Sequence, residues 1–146
     1  HLNRLGIQAL QIRTGGTCHL NAAMIGSILD ELKPQGPGWL FIENIGNLVC
    51  PAEYLIGEHL KIVVSSTPEG WDKPYKYPVV FQKSQAAVLT KTDLEPMVDF
   101  DRQKYTDGLR CLNKDAPLFP VCAKRHEGFA PLITWLKLQR DKAFPC

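Results

Sequence analysis

The segment from residue 61 to residue 93, KIVVSSTPEGWDKPYKYPVVFQKSQAAVLTKTD, decides the fold class of this 146-residue chain. It predicts a strand over Lys61–Ser65, a helix over about Tyr75–Lys83 and a strand over Ala86–Leu89, because two short apolar runs flank a longer segment. Pro74 and Pro78 suit the beginning of that helix, since proline lacks the N–H that a helix interior requires. A strand–helix–strand unit indicates two parallel strands, because a parallel pair needs a long crossover connection.

The same alternation continues in both directions along the chain. We expect further strands at Ala9–Arg13, Trp39–Ile42 and Leu118–Cys122, and further helices at Cys18–Lys33, about Asp101–Leu112 and about Phe129–Leu138. The predicted fold is therefore α/β with a mainly parallel sheet, in one domain over residues 1–146. In such a fold, ligands bind at the carboxyl ends of the strands.

Composition excludes several classes of protein. Hydrophobic residues make up 45% of the chain and charged residues 22%, which is typical of a soluble globular protein. A formal net charge of +2 gives no reason to expect nucleic acid as a partner, and no run of about 18 apolar residues predicts a membrane span. The five cysteines are scattered and odd in number, which favours a reducing cytoplasm and thiolate metal ligands over disulfides.

Cys18 and His19 stand at the beginning of a predicted helix, and Cys50 lies further along the chain. We expect the helix N-terminus to lower the pKa of the Cys18 thiol and so to favour the thiolate that binds metal. Two thiolates and an imidazole suit Ni²⁺ or Zn²⁺ rather than Mg²⁺. Three ligands fall short of the four that close a structural zinc site, which favours a site that releases its metal or shares it between subunits. The alternative is that both cysteines are small core residues and that His19 caps the helix.

Glu43 and Gly46 follow the predicted strand Trp39–Ile42. A carboxylate at a strand end can hold a water ligand of Mg²⁺, and a glycine three residues later lets the backbone N–H approach a phosphate closely. The alternative is a helix-capping acid followed by a turn glycine.

Lys91 and Asp93 follow the strand Ala86–Leu89, and Ala123 and Lys124 follow the last predicted strand. A carboxylate at Asp93 can accept from the N1–H and the amino group of guanine, while the stem of Lys91 covers the base and the Ala123 N–H meets guanine O6. The alternative is a strand end at which Asp93 caps the next helix.

Three stretches together resemble one family, the nickel-insertion GTPases of NiFe-hydrogenase maturation, known as the HypB family. They are CHLNA at residues 18–22, FIENIGNLVCPA at residues 41–52 and EGWDKPYKYP at residues 69–78. The similarity runs from about Gly6 to Leu136, and the middle stretch is the most specific. This sequence differs from the usual family pattern at four positions. Asn21 replaces an aspartate, Pro68 a threonine, Thr90 an asparagine and Cys122 a serine.

The resemblance implies a three-layer fold of the P-loop NTPase class and a cytoplasmic GTPase that dimerises on GTP. It implies a Ni²⁺ or Zn²⁺ site at Cys18, His19 and Cys50, a phosphate-sensing switch at Glu43 and Gly46 for GTP with Mg²⁺, and a guanine site at Lys91, Asp93, Ala123 and Lys124. The implied partners are the companion nickel chaperone HypA and the hydrogenase large subunit, which receives the nickel.

No Gly-x-x-x-x-Gly-Lys-Ser/Thr loop occurs in the sequence, although this loop supplies most of the phosphate contacts in the P-loop class. We therefore expect a partial G domain that lacks the N-terminal P-loop strand, and we expect these 146 residues by themselves not to hydrolyse GTP. The alternative function is a non-catalytic module for metal binding or dimerisation. The sister GTPases of urease maturation are a weaker match, because their metal motif is Cys-Pro-His and no proline separates Cys18 from His19.

Overall fold

A parallel sheet of three strands forms from apolar runs in the later part of the chain. In the computed structural model, which describes residues 2–32, 38–44 and 46–145, the strands are β1 (Ile62–Ser66), β2 (Ala86–Thr90) and β3 (Leu118–Pro120). The central strand β2 pairs in parallel with both neighbours, and Val88 lies opposite Val64 on one side and Phe119 on the other. The predicted α/β class with a mainly parallel sheet is therefore confirmed.

The helices account for most of the remaining regular structure. The α-helices within the described ranges are α1 (Ala22–Leu32), α2 (Cys50–Glu53), α3 (Lys73–Lys76), α4 (Pro78–Lys83), α5 (Arg102–Leu112) and α6 (Phe129–Ala143). Short 3₁₀ helices cover Leu2–Leu5, Thr67–Glu69 and Thr92–Met97. None of the described helices is long and apolar enough to cross a lipid bilayer.

The chain divides into two compact units, His1–Glu58 and His59–Cys146. The first unit contains α1 and α2, and the second contains the sheet and helices α3 to α6. In the first unit, α1 buries Ile25, and Leu20 and Ala52 are also buried.

The second unit has helices on both faces of its sheet. On one face, Val88 of β2 and Phe119 of β3 pack with Phe129, Leu132 and Trp135 of α6. On the other face, the hydroxyls of Ser65 in β1 and Tyr105 in α5 are 2.6 Å apart, and the Tyr105 ring packs edge-on against Phe81 of α4. This alternation along the strands produces the predicted layers of helix, sheet and helix, because successive side chains of a strand point to opposite faces.

Two of the predicted strands are wrong. The segments Ala9–Arg13 and Trp39–Ile42 both lack strand structure, and in the second the Phe41 side chain is 75% exposed rather than buried. An apolar run becomes a strand only when a neighbouring strand completes its hydrogen bonds, and the described residues of the first unit include no strand.

Several helix boundaries differ from prediction for local reasons. The first helix begins at Ala22 rather than Cys18, because the Asn21 side chain accepts a hydrogen bond from the Met24 N–H at 3.0 Å and so caps α1; its predicted last residue, Lys33, lies outside the described residues. The predicted helix over Tyr75–Lys83 is two helices that break at Tyr77, since the residue before a proline is disfavoured in helical conformation.

The last helix runs five residues beyond its predicted end, from Leu138 to Ala143. Strand β3 is shorter than predicted, although the Val121 N–H beyond its end still donates to the Leu89 carbonyl at 2.8 Å. The helix predicted from about Asp101 is α5, with Asp101 as its cap: the carboxylate accepts from the Lys104 N–H at 3.0 Å.

Candidate metal and nucleotide sites

The three predicted metal ligands, Cys18, His19 and Cys50, all lie in the first unit. His19 and Cys50 are both near the Cys18 thiol. Cys18 lies before α1, and Cys50 is the first residue of α2. The Sγ of Cys18 is 3.7 Å from the Nδ1 of His19, and the Cys50 thiol is near enough to affect the ionisation of Cys18. Neither cysteine forms a disulfide, so both thiols are free to bind a metal.

The protonation of Cys18 differs from the sequence-based expectation. A hydrogen bond to the Cys50 thiol raises the pKa of Cys18, whereas a helix N-terminus was expected to lower it. The difference arises because α1 begins at Ala22 and leaves Cys18 outside its first turn. Since the thiolate is the form that binds metal, metal binding at Cys18 has to displace a proton.

Two thiols and an imidazole suit a borderline-soft cation, but the three side chains do not converge on one position where a metal ion could bind them all. Among the described residues, no group of three His, Cys, Asp or Glu side chains is arranged to hold a metal ion. One reason is visible at His19, whose ring stacks flat on the Tyr54 ring with centroids 3.7 Å apart. Two thiols and an imidazole fit Ni²⁺ or Zn²⁺ chemically, and His19 would have to complete the set by a change in its own orientation.

Two asparagines that the sequence analysis did not select hold the cysteine-bearing segments together. The Asn47 Oδ1 accepts from the N–H groups of Val49 and Cys50 at 3.0 and 2.9 Å, and its Nδ2 donates to the Cys18 carbonyl at 3.3 Å. The Asn44 Oδ1 accepts from the Leu20 N–H at 3.2 Å. Asparagine commonly bonds to backbone N–H groups two and three residues on in an Asx turn, but the sequence does not indicate the second bond to Cys18.

The two residues predicted to sense phosphate, Glu43 and Gly46, lie in the same loop as Asn44 and Asn47. Both are exposed. A Cβ atom built on Gly46 would have no neighbour within 4 Å among the described residues. Packing among the described residues therefore does not require glycine at this position.

The four predicted nucleotide-binding residues line one open cleft in the second unit. The cleft has a volume of about 480 Å³ and is lined by Thr90, Lys91, Asp93, Leu94, Ala123 and Lys124. It lies at the carboxyl ends of β2 and β3, which is the edge of a parallel sheet where ligands bind. We refer to it as the β2–β3 cleft.

Hydrogen bonds to the residues that directly follow both neighbouring strands fix the loop that carries Lys91. The Lys91 carbonyl accepts from the Thr67 hydroxyl at 2.7 Å, beyond the end of β1. The Thr92 hydroxyl donates to the Val121 carbonyl at 3.3 Å, beyond the end of β3. Lys91 itself has a φ of +57°, an uncommon conformation for a residue other than glycine. Such backbone conformations persist where surrounding contacts determine them, and they concentrate at functional sites.

The polar groups needed to read guanine are available in the β2–β3 cleft. Within the described part of the chain, Asp93 makes neither an ion pair nor a side-chain hydrogen bond, and the Ala123 N–H has no acceptor. The pair of hydrogen bonds between Cys122 and Glu127, at 3.0 and 3.1 Å, closes the loop that presents Ala123 and Lys124.

Comparison with known proteins gives a consistent set of relatives, although no family model matches the chain. Hydrogenase maturation factor HypB of Azotobacter chroococcum mcd 1 is 42% identical over 135 residues, which cover 92% of this chain and 44% of that protein. Hydrogenase/urease maturation factor HypB of Helicobacter hepaticus is 41% identical over 147 residues, covering 98% of this chain and 61% of that protein. The chain spans about half the length of the curated relatives that it matches.

A solved structure agrees in both fold and sequence. The crystal structure of HypB from Helicobacter pylori in complex with nickel superposes with a TM-score of 0.90 and 36% sequence identity, covering 97% of this chain and 68% of that one. The resemblance found in the sequence is therefore confirmed, together with the P-loop NTPase-like α/β fold. This chain belongs to the HypB family of hydrogenase maturation factors.

Proposed function

We propose that this chain forms the nickel-binding and guanine-reading part of a GTP-dependent factor that delivers nickel to the large subunit of NiFe hydrogenase. The observation that carries the proposal is the position of the Cys18 thiol, 3.7 Å from the His19 Nδ1 and near the Cys50 thiol. Family membership supports it, as does the solved relative from Helicobacter pylori, which is a complex with nickel.

Nickel is the cargo of this site, and the donor set suits transient binding. Thiolates and imidazole bind Ni²⁺ strongly enough to capture it from solution. Three protein ligands leave coordination positions open, through which an acceptor protein can attack and remove the metal. Cys18 is exposed and Cys50 is half-buried, so an acceptor can reach the metal.

The nucleotide controls the metal through the loop from Glu43 to Cys50. Four residues of backbone connect Gly46 to Cys50 and span at most about 14 Å, so a displacement of Gly46 is transmitted to the metal ligand. A loop that the γ-phosphate orders and hydrolysis releases is a common switch. Glu43 would hold a water ligand of the Mg²⁺ that accompanies GTP. Metal affinity and nucleotide state are then coupled reciprocally.

Guanine is read in the β2–β3 cleft. The Asp93 carboxylate accepts from the base, the Ala123 N–H donates to guanine O6, and the stems of Lys91 and Lys124 cover the ring. Thr90, at the position of the usual family asparagine, donates to the Ser65 carbonyl at 3.0 Å and so ties the end of β2 to β1.

A nickel titration in three nucleotide states tests the coupling. The nickel affinity of the chain is measured without nucleotide, with GDP and with a non-hydrolysable GTP analogue, the last two with Mg²⁺. We expect the two nucleotide states to differ by about 5- to 150-fold, the usual range of allosteric coupling. As a matched control, Asp93→Asn should reduce this difference at nucleotide concentrations that only partly saturate the unsubstituted chain, and leave the nucleotide-free nickel affinity unchanged. Equal nickel affinities with both nucleotides bound would contradict the gating mechanism.

A second candidate function is a metal-binding or dimerising module without catalysis. The observation that favours it is the lack of a Gly-x-x-x-x-Gly-Lys-Ser/Thr loop within these 146 residues. Nickel binding without any nucleotide binding would support this second function, whereas GTP hydrolysis by the chain would eliminate it. The partners under the first function are a second copy of the chain on GTP, the chaperone HypA and the hydrogenase large subunit, in the cytoplasm.

A further inference from the structure

We propose that Asn47 is a positioning residue for the metal site, whose side-chain amide holds the two cysteine-bearing segments at the spacing that lets both thiols bind one nickel ion. The inference rests on the proposed nickel-binding function. Its basis is the three hydrogen bonds that Asn47 makes, one to the Cys18 segment and two to the Cys50 segment.

The orientation of the Asn47 amide is determined by its partners. The N–H groups of Val49 and Cys50 both point at the same side-chain oxygen, at 3.0 and 2.9 Å. An amide nitrogen cannot accept these bonds, so the oxygen must occupy that side. The NH₂ group is then left facing the Cys18 carbonyl, to which it donates at 3.3 Å.

Asn47 therefore acts on both cysteines at once. On one side it closes a turn that leads into α2, of which Cys50 is the first residue, and so fixes the Cys50 backbone. On the other side it restrains the Cys18 backbone, 29 residues away in sequence. No other side chain within the described ranges hydrogen-bonds to the backbone of both cysteines. Replacing a residue that hydrogen-bonds to metal-ligating residues commonly lowers metal affinity by about 10- to 100-fold.

Two substitutions separate the role of Asn47 in the turn before α2 from its bridging role to Cys18. Asn47→Asp keeps an oxygen for the Val49 and Cys50 N–H groups, but its second oxygen repels the Cys18 carbonyl instead of donating to it. Asn47→Ser also retains an oxygen that can accept in the same turn, adds no charge, and is too short to reach Cys18. The matched control is Asn21→Asp, which keeps the cap of α1 to the Met24 N–H and adds the same charge near Cys18.

Thiol spacing is measured without any metal, by capture of two thiols with a trivalent arsenical that forms one As–S bond to each sulfur and releases water. The Cys18–Cys50 adduct is identified by mass spectrometry. We expect capture to be slower by about fivefold in both Asn47 variants. Losing one hydrogen bond of about 1 kcal/mol lowers the population with both thiols at capture distance by about that factor. Nickel affinity should fall by about 10- to 100-fold, while Asn21→Asp should match the unsubstituted chain in both measurements. Helix content by circular dichroism should be equal in all four proteins.

The outcomes separate this inference from the proposed function. Arsenical capture in both Asn47 variants as fast as in the unsubstituted chain would overturn the positioning role, whatever the nickel result. Slower capture in both variants supports it, even if the unsubstituted chain binds no nickel and the proposed function fails. A loss confined to Asn47→Asp would also overturn it, because charge rather than the lost bridge would then be the cause.

Discussion

The buried pair of hydroxyls between β1 and α5 predicts a specific loss of stability in alkali. Tyr105 is fully buried, and burial raises the pKa of its hydroxyl to about 12, although the hydrogen bond from Ser65 acts in the opposite direction. A phenol in the unfolded chain has a pKa of about 10. Because the folded pKa is the higher one, the stabilisation is fully present below about pH 10 and is lost as the pH rises toward about 12.

The magnitude follows from the two pKa values. A difference of about 2 units corresponds to about 2.7 kcal/mol in total, of which about 1.4 kcal/mol is lost between about pH 8 and about pH 11. Tyr105→Phe keeps the ring in the core and removes the titrating hydroxyl. At about pH 8 we expect this variant to be less stable by about 1 kcal/mol, because the Ser65 hydroxyl loses its partner. Near pH 11 the difference should vanish or change sign, since only the unsubstituted chain has lost the phenol contribution.

Urea unfolding of both proteins across this pH range, followed by circular dichroism, measures the difference directly. Tyrosinate absorbance in the same samples should show one ionising phenol fewer in Tyr105→Phe than in the unsubstituted chain. As a further test, Ser65→Ala removes a bond that lowers the pKa of Tyr105, so the pKa of Tyr105 should rise further. A difference in unfolding free energy between Tyr105→Phe and the unsubstituted chain that stays constant with pH would refute the reasoning.

Two other predictions concern the backbone and the nucleotide site. Gly128→Ala should destabilise the second unit by at least about 2 kcal/mol in urea unfolding, because Gly128 has a φ of +80° and a Cβ there would overlap the Pro120 carbonyl. In the same experiment the control Gly26→Ala, at an exposed position of α1 with nothing within 4 Å, should be neutral or stabilising by up to about 1 kcal/mol. Asp93→Asn should weaken GTP binding about tenfold or more and improve binding of xanthosine triphosphate, whose second ring carbonyl can accept from the new amide. Competition against a fluorescent nucleotide measures this, and an equal loss in the exposed control Asp99→Asn would contradict it.

The second unit could be predicted well from sequence because its signals are local. The strands around Val63 and Val88 are short β-branched runs between polar turns, and the alternation of strand and helix determines a parallel arrangement. The helix around Arg102–Leu112 carries its own cap at Asp101. These signals do not depend on distant partners.

The first unit could be predicted less well because its apolar runs depend on non-local contacts. Trp39–Ile42 has the composition of a buried strand, but pairing cannot be inferred from composition, and within the described residues the run forms no strand. The helix α1 was predicted correctly in type but not in its first turn, where the Asn21 cap decides the boundary.

The candidate sites follow the same division. The residues Lys91, Asp93, Ala123 and Lys124 were selected because each follows a predicted strand, and the structure brings all four to the β2–β3 cleft. Cys18, His19 and Cys50 were selected by ligand chemistry. The bridge through Asn47 could not be foreseen, because it depends on the distance between two loops that are 29 residues apart.

The most direct test of the central claim, that nickel binds at Cys18, His19 and Cys50, is a nickel titration of three serine variants. Cys18→Ser and Cys50→Ser each remove a proposed ligand, whereas Cys111→Ser removes another free thiol, which is exposed on α5. The account predicts a loss of nickel affinity of at least about tenfold in the first two variants, loss of the sulfur-to-nickel absorption band, and no change in the third. Equal nickel affinities in all three variants and the unsubstituted chain would contradict the account.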